Sequence, residues 1–277
     1  MNAAGPRAVR AKRVEPIRAA RLSWLFFRLG VMNEMQYRVN FFIQLLQSLL
    51  ALGTGLAVLA LVFSHTKTLK GWTPNELLAV MGVHLLMGGL IRTTIQPNMT
   101  RLIEDVRQGT LDYALTKPED SQLMVSVRDI RIWQGVDIVV GAAVLGVAIA
   151  RIQAGVGVWD ALGFAVALLL GGVMIYCFWM ILTIGAFWVI RMDQIVELFE
   201  GVYQAGRWPV TVYPLWLRTA LTFLVPIAFA VTVPAEGVTS RLNGGTLLAA
   251  FGLAVALFAV TRWFWQFGLR RYSGASA

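Results

Sequence analysis

Between residues 97 and 131 lie five basic side chains (Arg101, Arg107, Lys117, Arg128, Arg131) and six acids (Glu104, Asp105, Asp112, Glu119, Asp120, Asp129). These are 11 of the chain's 39 charges in a segment of 35 residues, and the segments on either side are strongly apolar. A dense, balanced set of this kind does recognition chemistry: it fixes register and partner at a protein surface. Three further ionisable residues, His84, Arg92 and Asp137, fall inside apolar runs, where charge is costly and defaults to a functional candidate. Arg92 and Asp137 have the depth to pair across adjacent helices, as a structural ion pair or a pathway element. His84 either lines a pathway or hydrogen-bonds a neighbouring helix. Gln44, Gln47 and Ser48 are candidates for interhelical hydrogen bonds.

Other chemistries lack their residues. No G-x-x-x-x-G-K-[ST] loop occurs, and none of the four lysines (Lys12, Lys67, Lys70, Lys117) follows a glycine, so this chain has no usual cradle for ATP phosphates. There is no G-x-S-x-G or H-E-x-x-H, and the only histidines are His65 and His84. The single cysteine, Cys177, lies in an apolar run and excludes an intrachain disulfide or a thiolate cluster. Glu119 and Asp120, beside Pro118, read as solvated charge in a turn. No cofactor or metal site is expected.

The elements that position these residues are written for lipid. The composition is 57% hydrophobic and 14% charged, against roughly a quarter charged in soluble domains. Several apolar runs reach the roughly 20 residues that carry a helix across a bilayer core. We read an all-α polytopic membrane protein, one transmembrane domain over 1–277, with six spans at 39–63, 77–95, 132–150, 161–190, 212–233 and 246–267. Pro226 should kink the fifth. With both termini inside, inner segments collect 20 of the 24 basic residues, which places 97–131 in the cytoplasm. The net charge of +9 therefore points to lipid headgroups and topology, not nucleic acid. The first 38 residues hold eight of the basic residues. With Trp24, Phe26 and Phe27 they suit an interfacial helix over about 18–31. Trp72, Trp159, Trp216, Trp263 and Trp265 fit interfacial belts.

Within the charged island, Met99, Leu102, Ile103 and Val106 recur at i, i+3, i+4 and i+7, the stripe of an amphipathic helix. Gly109 is its expected stop, and Asp120 or Ser121 a cap for the next helix. In 193–218, Ile195, Leu198, Phe199 and Val202 make a similar stripe, read as a second inner contact or the inner end of span four.

Gly109-Thr110-Leu111-Asp112 followed by Thr116-Lys117-Pro118 resembles the "G-T-L-x … T/R-P" signature that type-2 ABC exporter permeases carry between spans two and three. Arg207-Trp208-Pro209, Tyr213-Pro214-Leu215-Trp216-Leu217-Arg218, Val225-Pro226-Ile227-Ala228-Phe229 and Val233-Pro234-Ala235 are similar to a branch usually encoded beside a second permease and an ATPase. The resemblance implies a bacterial inner-membrane permease subunit that is itself no enzyme. Its partners would be two ATPase copies, which bind the ATP, and a second permease, identical or homologous. It also implies a coupling helix built from Leu102, Ile103, Glu104, Asp105, Val106, Arg107, Gly109, Thr110, Leu111 and Asp112, with the apolar members in a groove of the ATPase. Members of the family place short re-entrant helices between spans five and six; here that connection, 234–245, is only about twelve residues, so the part of span five beyond Pro226 would have to supply them. A lipid-modifying membrane enzyme would need a histidine or acidic metal cluster, and an ion-coupled carrier or channel more intramembrane charge and internal repeats.

Overall fold

The computed structural model describes residues 38–117, 120–152, 157–188 and 194–272, with Arg28 and Met32. The expected interfacial helix over 18–31 lies outside these residues except for Arg28. In chain order the α-helices are α1 (Arg38–His65), α2 (Pro74–Leu90), α3 (Gln96–Gln108), α4 (Asp112–Leu115), α5 (Ser121–Ser126), α6 (Val136–Arg151), α7 (Val158–Ile184), α8 (Gln194–Tyr203), α9 (Leu215–Thr219), α10 (Val233–Val238) and α11 (Gly244–Arg271). Five stretches among the described residues are long and apolar enough to cross a bilayer.

α2 begins at a capping box: the Thr73 backbone N–H donates to Glu76 Oε2 at 2.7 Å while Glu76 N–H donates to Thr73 Oγ1, with Pro74 at the first helical position. It does not end at the membrane. A π-turn at Ile91–Ile95 joins it to α3, giving one 35-residue rod, Pro74–Gln108, about 52 Å long by helical rise. The expected second span over 77–95 is thus part of a longer element. Pro97 removes an N–H that would have bonded backward, and the π-turn absorbs the mismatch. Thr93 O instead accepts the Arg131 N–H at 3.0 Å, tying the returning chain to the rod.

α2 packs on α6 through glycines. A Cβ at Gly82 would stand 2.7 Å from Leu145 N, one at Gly89 2.7 Å from Ile138 N, and one at Gly141 would run into the Leu86 backbone. Small residues let helix backbones approach in lipid. α1 is attached lightly: among its described side chains, only Gln44 and Ser48 are buried.

The chain between α7 and α11 departs most from expectation. Thr211 Oγ1 accepts the Trp72 Nε1–H at 3.1 Å, so residue 211 sits beside the start of α2. Arg241 is at the same end, donating to Glu76 through Nε (2.8 Å) and Nη2 (2.9 Å) and lying 4.7 Å above the Trp72 ring. Tyr203, between them in depth, donates its hydroxyl to His84 O, halfway along the α2 crossing, at 2.8 Å. Residues 194–212 therefore make the fifth crossing, roughly 35 Å of α-helix, 3-10 turn and extended chain. The stretch 212–233, expected to span, belongs to a re-entrant hairpin: Leu215–Leu224 descends, the chain turns at Pro226, and Ala228–Val238 returns, the two limbs bent by 80°. Ile227 reaches Gly206, and Val210 N–H donates to Thr232 Oγ1 at 3.2 Å, so the returning limb lies along the fifth crossing. α7 holds the other side, where a Cβ at Gly171 would lie 2.7 Å from Ala230 Cα. Six crossings result, with the fifth placed earlier in the chain.

The Arg241–Glu76 pair fastens the hairpin exit to α2. Glu76 is 12% exposed and Arg241 38%, so solvent screens part of the pair. Arg241→Ala is expected to cost about 2 kcal/mol in a thermal-unfolding measurement in detergent. Arg241→Lys, which keeps the charge but loses the two-pronged geometry, should fall between.

Trp72 and Trp265 are buried at 2% and 1%, so they are packing residues and not part of an interfacial belt, whereas Trp159, Trp216 and Trp263 are exposed.

Candidate functional site

The island is a compact extension of the membrane helices. α3 ends at Gln108 with Gly109 left-handed at φ 70°, as the sequence expects. The chain then turns: Thr110 N–H donates to Asp105 O at 2.9 Å, and Thr110 Oγ1 donates to Asp105 Oδ1 at 3.2 Å. Arg128 closes the turn from the returning strand by an ion pair to Asp105 Oδ2. Asn98 is buried and bridges the same return, donating to Asp129 O at 2.7 Å and accepting from Asp129 N–H at 2.9 Å.

The stripe that was expected to enter an ATPase groove faces inward. Leu102 and Leu111 are fully buried, Ile103 nearly so against Ala186, and Val106 partly buried. The physical reason is that α3 lies against the ends of α7 and α5, which offer an apolar bed closer than any partner. The outward face carries Arg101, Arg107, Gln108, Tyr113, Thr116 and Lys117, with Glu104 half-buried and bridged to Arg107 at 2.6 Å. Asp105 is spent on Arg128, and Asp112 is half-buried at the first turn of α4. Tyr113 is 77% exposed although Leu111 and Ala114 beside it are buried, a difference that sequence type alone does not signal.

α5 staples the island to two spans. Asp120 caps it by accepting Leu123 N–H at 3.1 Å and is paired with Arg262 of α11. Gln122 donates to Tyr176 OH of α7 at 3.2 Å, Ser126 and Tyr176 share a hydrogen bond of 2.9 Å, and Trp265 Nε1–H donates to Ser121 Oγ at 3.2 Å. Burial by itself would raise the Asp120 carboxyl, but the hydrogen bonds from Arg262 and Leu123 outweigh it and hold the group below the usual carboxylate range. Asp120 is therefore a structural anion, not solvated turn charge; its neighbours Pro118 and Glu119 lie outside the described residues.

In the membrane, Arg92 and Asp137 pair at 2.5 Å, joining the π-turn to α6. Gln44 of α1 donates to the same Asp137 Oδ2 at 3.2 Å, whereas Gln47 is exposed and Ser48 Oγ is buried with no partner among the described residues. His84 is buried, stacked on Tyr203 with centroids 4.5 Å apart, and its Nδ1 bonds nothing among the described residues. It packs α2 against the fifth crossing and does not face an opening.

The fifth crossing also has a polar face that hydropathy concealed. Glu197, Glu200, Gln204 and Arg207 recur at helical spacing on its more exposed side, opposite buried Phe199, Tyr203, Gly206 and Val210. Arg92, Gln96, Glu200 and Gln204 line a cleft of about 80 Å3 floored by Gly88 and Tyr203. Gln96 Nε2–H donates to Glu200 Oε1 across it at 3.1 Å.

A family model described as ABC-2 family transporter protein matches residues 49–276, which takes in α2 through α11, the island and the re-entrant hairpin. No curated protein and no solved structure matches the chain. With five helices long and apolar enough to cross a bilayer, a charged extension continuous with the second, and a match over most of its length, the chain belongs to the ABC-2 family of transporter membrane proteins.

Proposed function

We propose that this chain is the permease subunit of an ATP-driven type-2 exporter in a bacterial inner membrane, with both termini and the island cytoplasmic. It pairs with a second permease, identical or homologous, and two copies of a separate ATPase dock beneath. The observation that carries this reading is the continuous rod Pro74–Gln108, whose α3 end is stapled by Asp105–Arg128 and Asp120–Arg262. A push delivered at the island is borne by α2, α7 and α11 together, because packed helices move as discrete bodies. The contact face is the outward one: Tyr113 as the aromatic anchor, with Arg101, Glu104, Arg107 and Lys117 around it. Leu102, Ile103 and Val106 support it from beneath.

The test is co-purification with the ATPase encoded nearby, for wild type and for Tyr113→Ala combined with Glu104→Arg. Loss of a central aromatic anchor and reversal of a rim charge are expected to weaken the complex at least about tenfold. Thermal unfolding of the permease alone should change little, since Tyr113 is exposed and the Glu104–Arg107 bridge is a surface i,i+3 pair. Normal ATPase binding and full transport-coupled hydrolysis in the variant would sink this docking face.

A further inference from the structure

We propose that the polar face of the fifth crossing is a binding site for the negatively charged head group of an amphipathic cargo, with Arg207 as its principal contact. This rests on the permease reading above, since it gives that pathway a ligand.

Arg207 stands at mid-depth. It follows Gly206, where a Cβ would come within 3.3 Å of His84 Nδ1, and His84 lies ten residues into α2, about 15 Å from its start. A guanidinium there is costly unless something answers its charge. Among the described residues nothing does: no hydrogen bond or ion pair involves Arg207. The nearby acids make their contacts elsewhere. Asp137 takes Arg92 and Gln44, and Glu200 takes Gln96 at the island-side lip of the cleft. Arg92, which lines the cleft with Gln204, has its charge answered by Asp137. Arg207, three residues beyond the cleft residue Gln204, is the cation of this face that no acid among the described residues answers, and guanidinium suits a phosphate or carboxylate group.

The apolar half of the ligand follows from the neighbours. Leu198 (67% exposed) and Val202 (38% exposed) flank the polar stripe on the same element, and Trp208 is half-buried beside Arg207. A head group on Arg207 and Gln204 leaves an alkyl tail to run along Val202 and Leu198. A small hydrophilic anion would leave that surface without a partner.

The probe is dodecyl phosphate, measured as saturable binding to the full chain co-expressed with its ATPase, in phosphatidylcholine nanodiscs with empty discs subtracted. Dodecyltrimethylammonium and inorganic phosphate are the comparison ligands. Arg207→Gln should weaken dodecyl phosphate at least tenfold and Arg207→Lys less, while Arg218→Gln, on the exposed limb of the hairpin, binds as wild type. Equal binding by Arg207→Gln and wild type overturns the site. Equal binding of the trimethylammonium probe overturns the charge assignment, and equal binding of inorganic phosphate overturns the amphipathic one. If Arg207→Gln instead separates the two permeases with probe binding intact, Arg207 answers an acid of the second subunit and the proposal is wrong. Should Arg207→Gln not accumulate, Gln204→Leu serves, with at least threefold weakening expected and unchanged binding overturning the site. ATPase co-purification by wild type is scored separately: its failure removes the permease reading and leaves the binding result standing.

Discussion

Asp137→Ala is expected to destabilise the protein by about 3 kcal/mol, read as a lowered unfolding temperature in detergent and a lower yield from the membrane. The carboxylate is 4% exposed and accepts from Arg92 at 2.5 Å and Gln44 at 3.2 Å, so it joins α1, the π-turn and α6. Its removal leaves a cation and an amide in a poorly hydrated stratum with no acceptor. Breaking a buried pair from one side typically costs about 3–5 kcal/mol. The lower end applies because Arg92 is 27% exposed and can turn into the adjoining cleft. Asp137→Asn keeps the shape and one acceptor and should cost less. The double change Arg92→Met with Asp137→Leu should recover most of the loss, since replacing both charges by apolar groups removes the penalty along with the attraction. If the single and double variants are equally unstable, the shape of the site matters and the charge does not. α1 should respond most, because Gln44 and Ser48 are the only buried residues among its described side chains.

Gly141→Leu is expected to be at least as damaging, about 3 kcal/mol or more, with a different signature. A Cβ there meets Leu86 backbone and lies 2.8 Å from Gly82 O. Backbone atoms cannot rotate away, so α2 and α6 must separate. Separation also pulls Asp137 from Arg92, since Gly89 packs against the Asp137 Cβ in the same interface. Gly146→Leu is the control on the same helix: a Cβ there meets nothing within 4 Å, and the change improves helix propensity. Thermal unfolding of the two variants should differ by the whole effect; equal behaviour would mean that α2 and α6 are not closely packed in the membrane. The Asp137 and Gly141 effects should be non-additive, because both act through one interface.

Local order in the island was legible because it is written in short-range chemistry. The stripe at Met99, Leu102, Ile103 and Val106 demanded a helix, and Gly109 ended it at the residue where only a left-handed turn continues the chain. Asp120 was readable as a cap for the same reason. The direction of the stripe was not, because periodicity says that one face is apolar and does not say what covers it. The cover turned out to be the chain's own α5 and α7.

The fifth crossing shows the converse. Residues 194–212 carry Glu197, Glu200, Arg207 and Pro209, so average hydropathy rejects them as a span, whereas 212–233 is apolar enough to pass. Hydropathy assumes that a crossing faces lipid all round. One with an exposed polar side and a packed side formed by Phe199, Tyr203 and Gly206 breaks that assumption. A re-entrant hairpin buried against Gly171 satisfies it without crossing.

The sequence by itself determined an all-helical membrane protein with a charged extension after the second span, carried motifs that resemble the family, and put Arg92 and Asp137 at depths that allow a pair. Composition and period carry the helices and the charged extension, short motifs carry the resemblance, and all act over a few residues or over a whole span. Only the tertiary structure decided which apolar segment crosses and which dips, which face of α3 is free for a partner, and that Arg207 stands at mid-depth without an acid. Those depend on contacts between residues far apart in the chain, such as Trp72 with Thr211 and Glu76 with Arg241, and packing alone sets them.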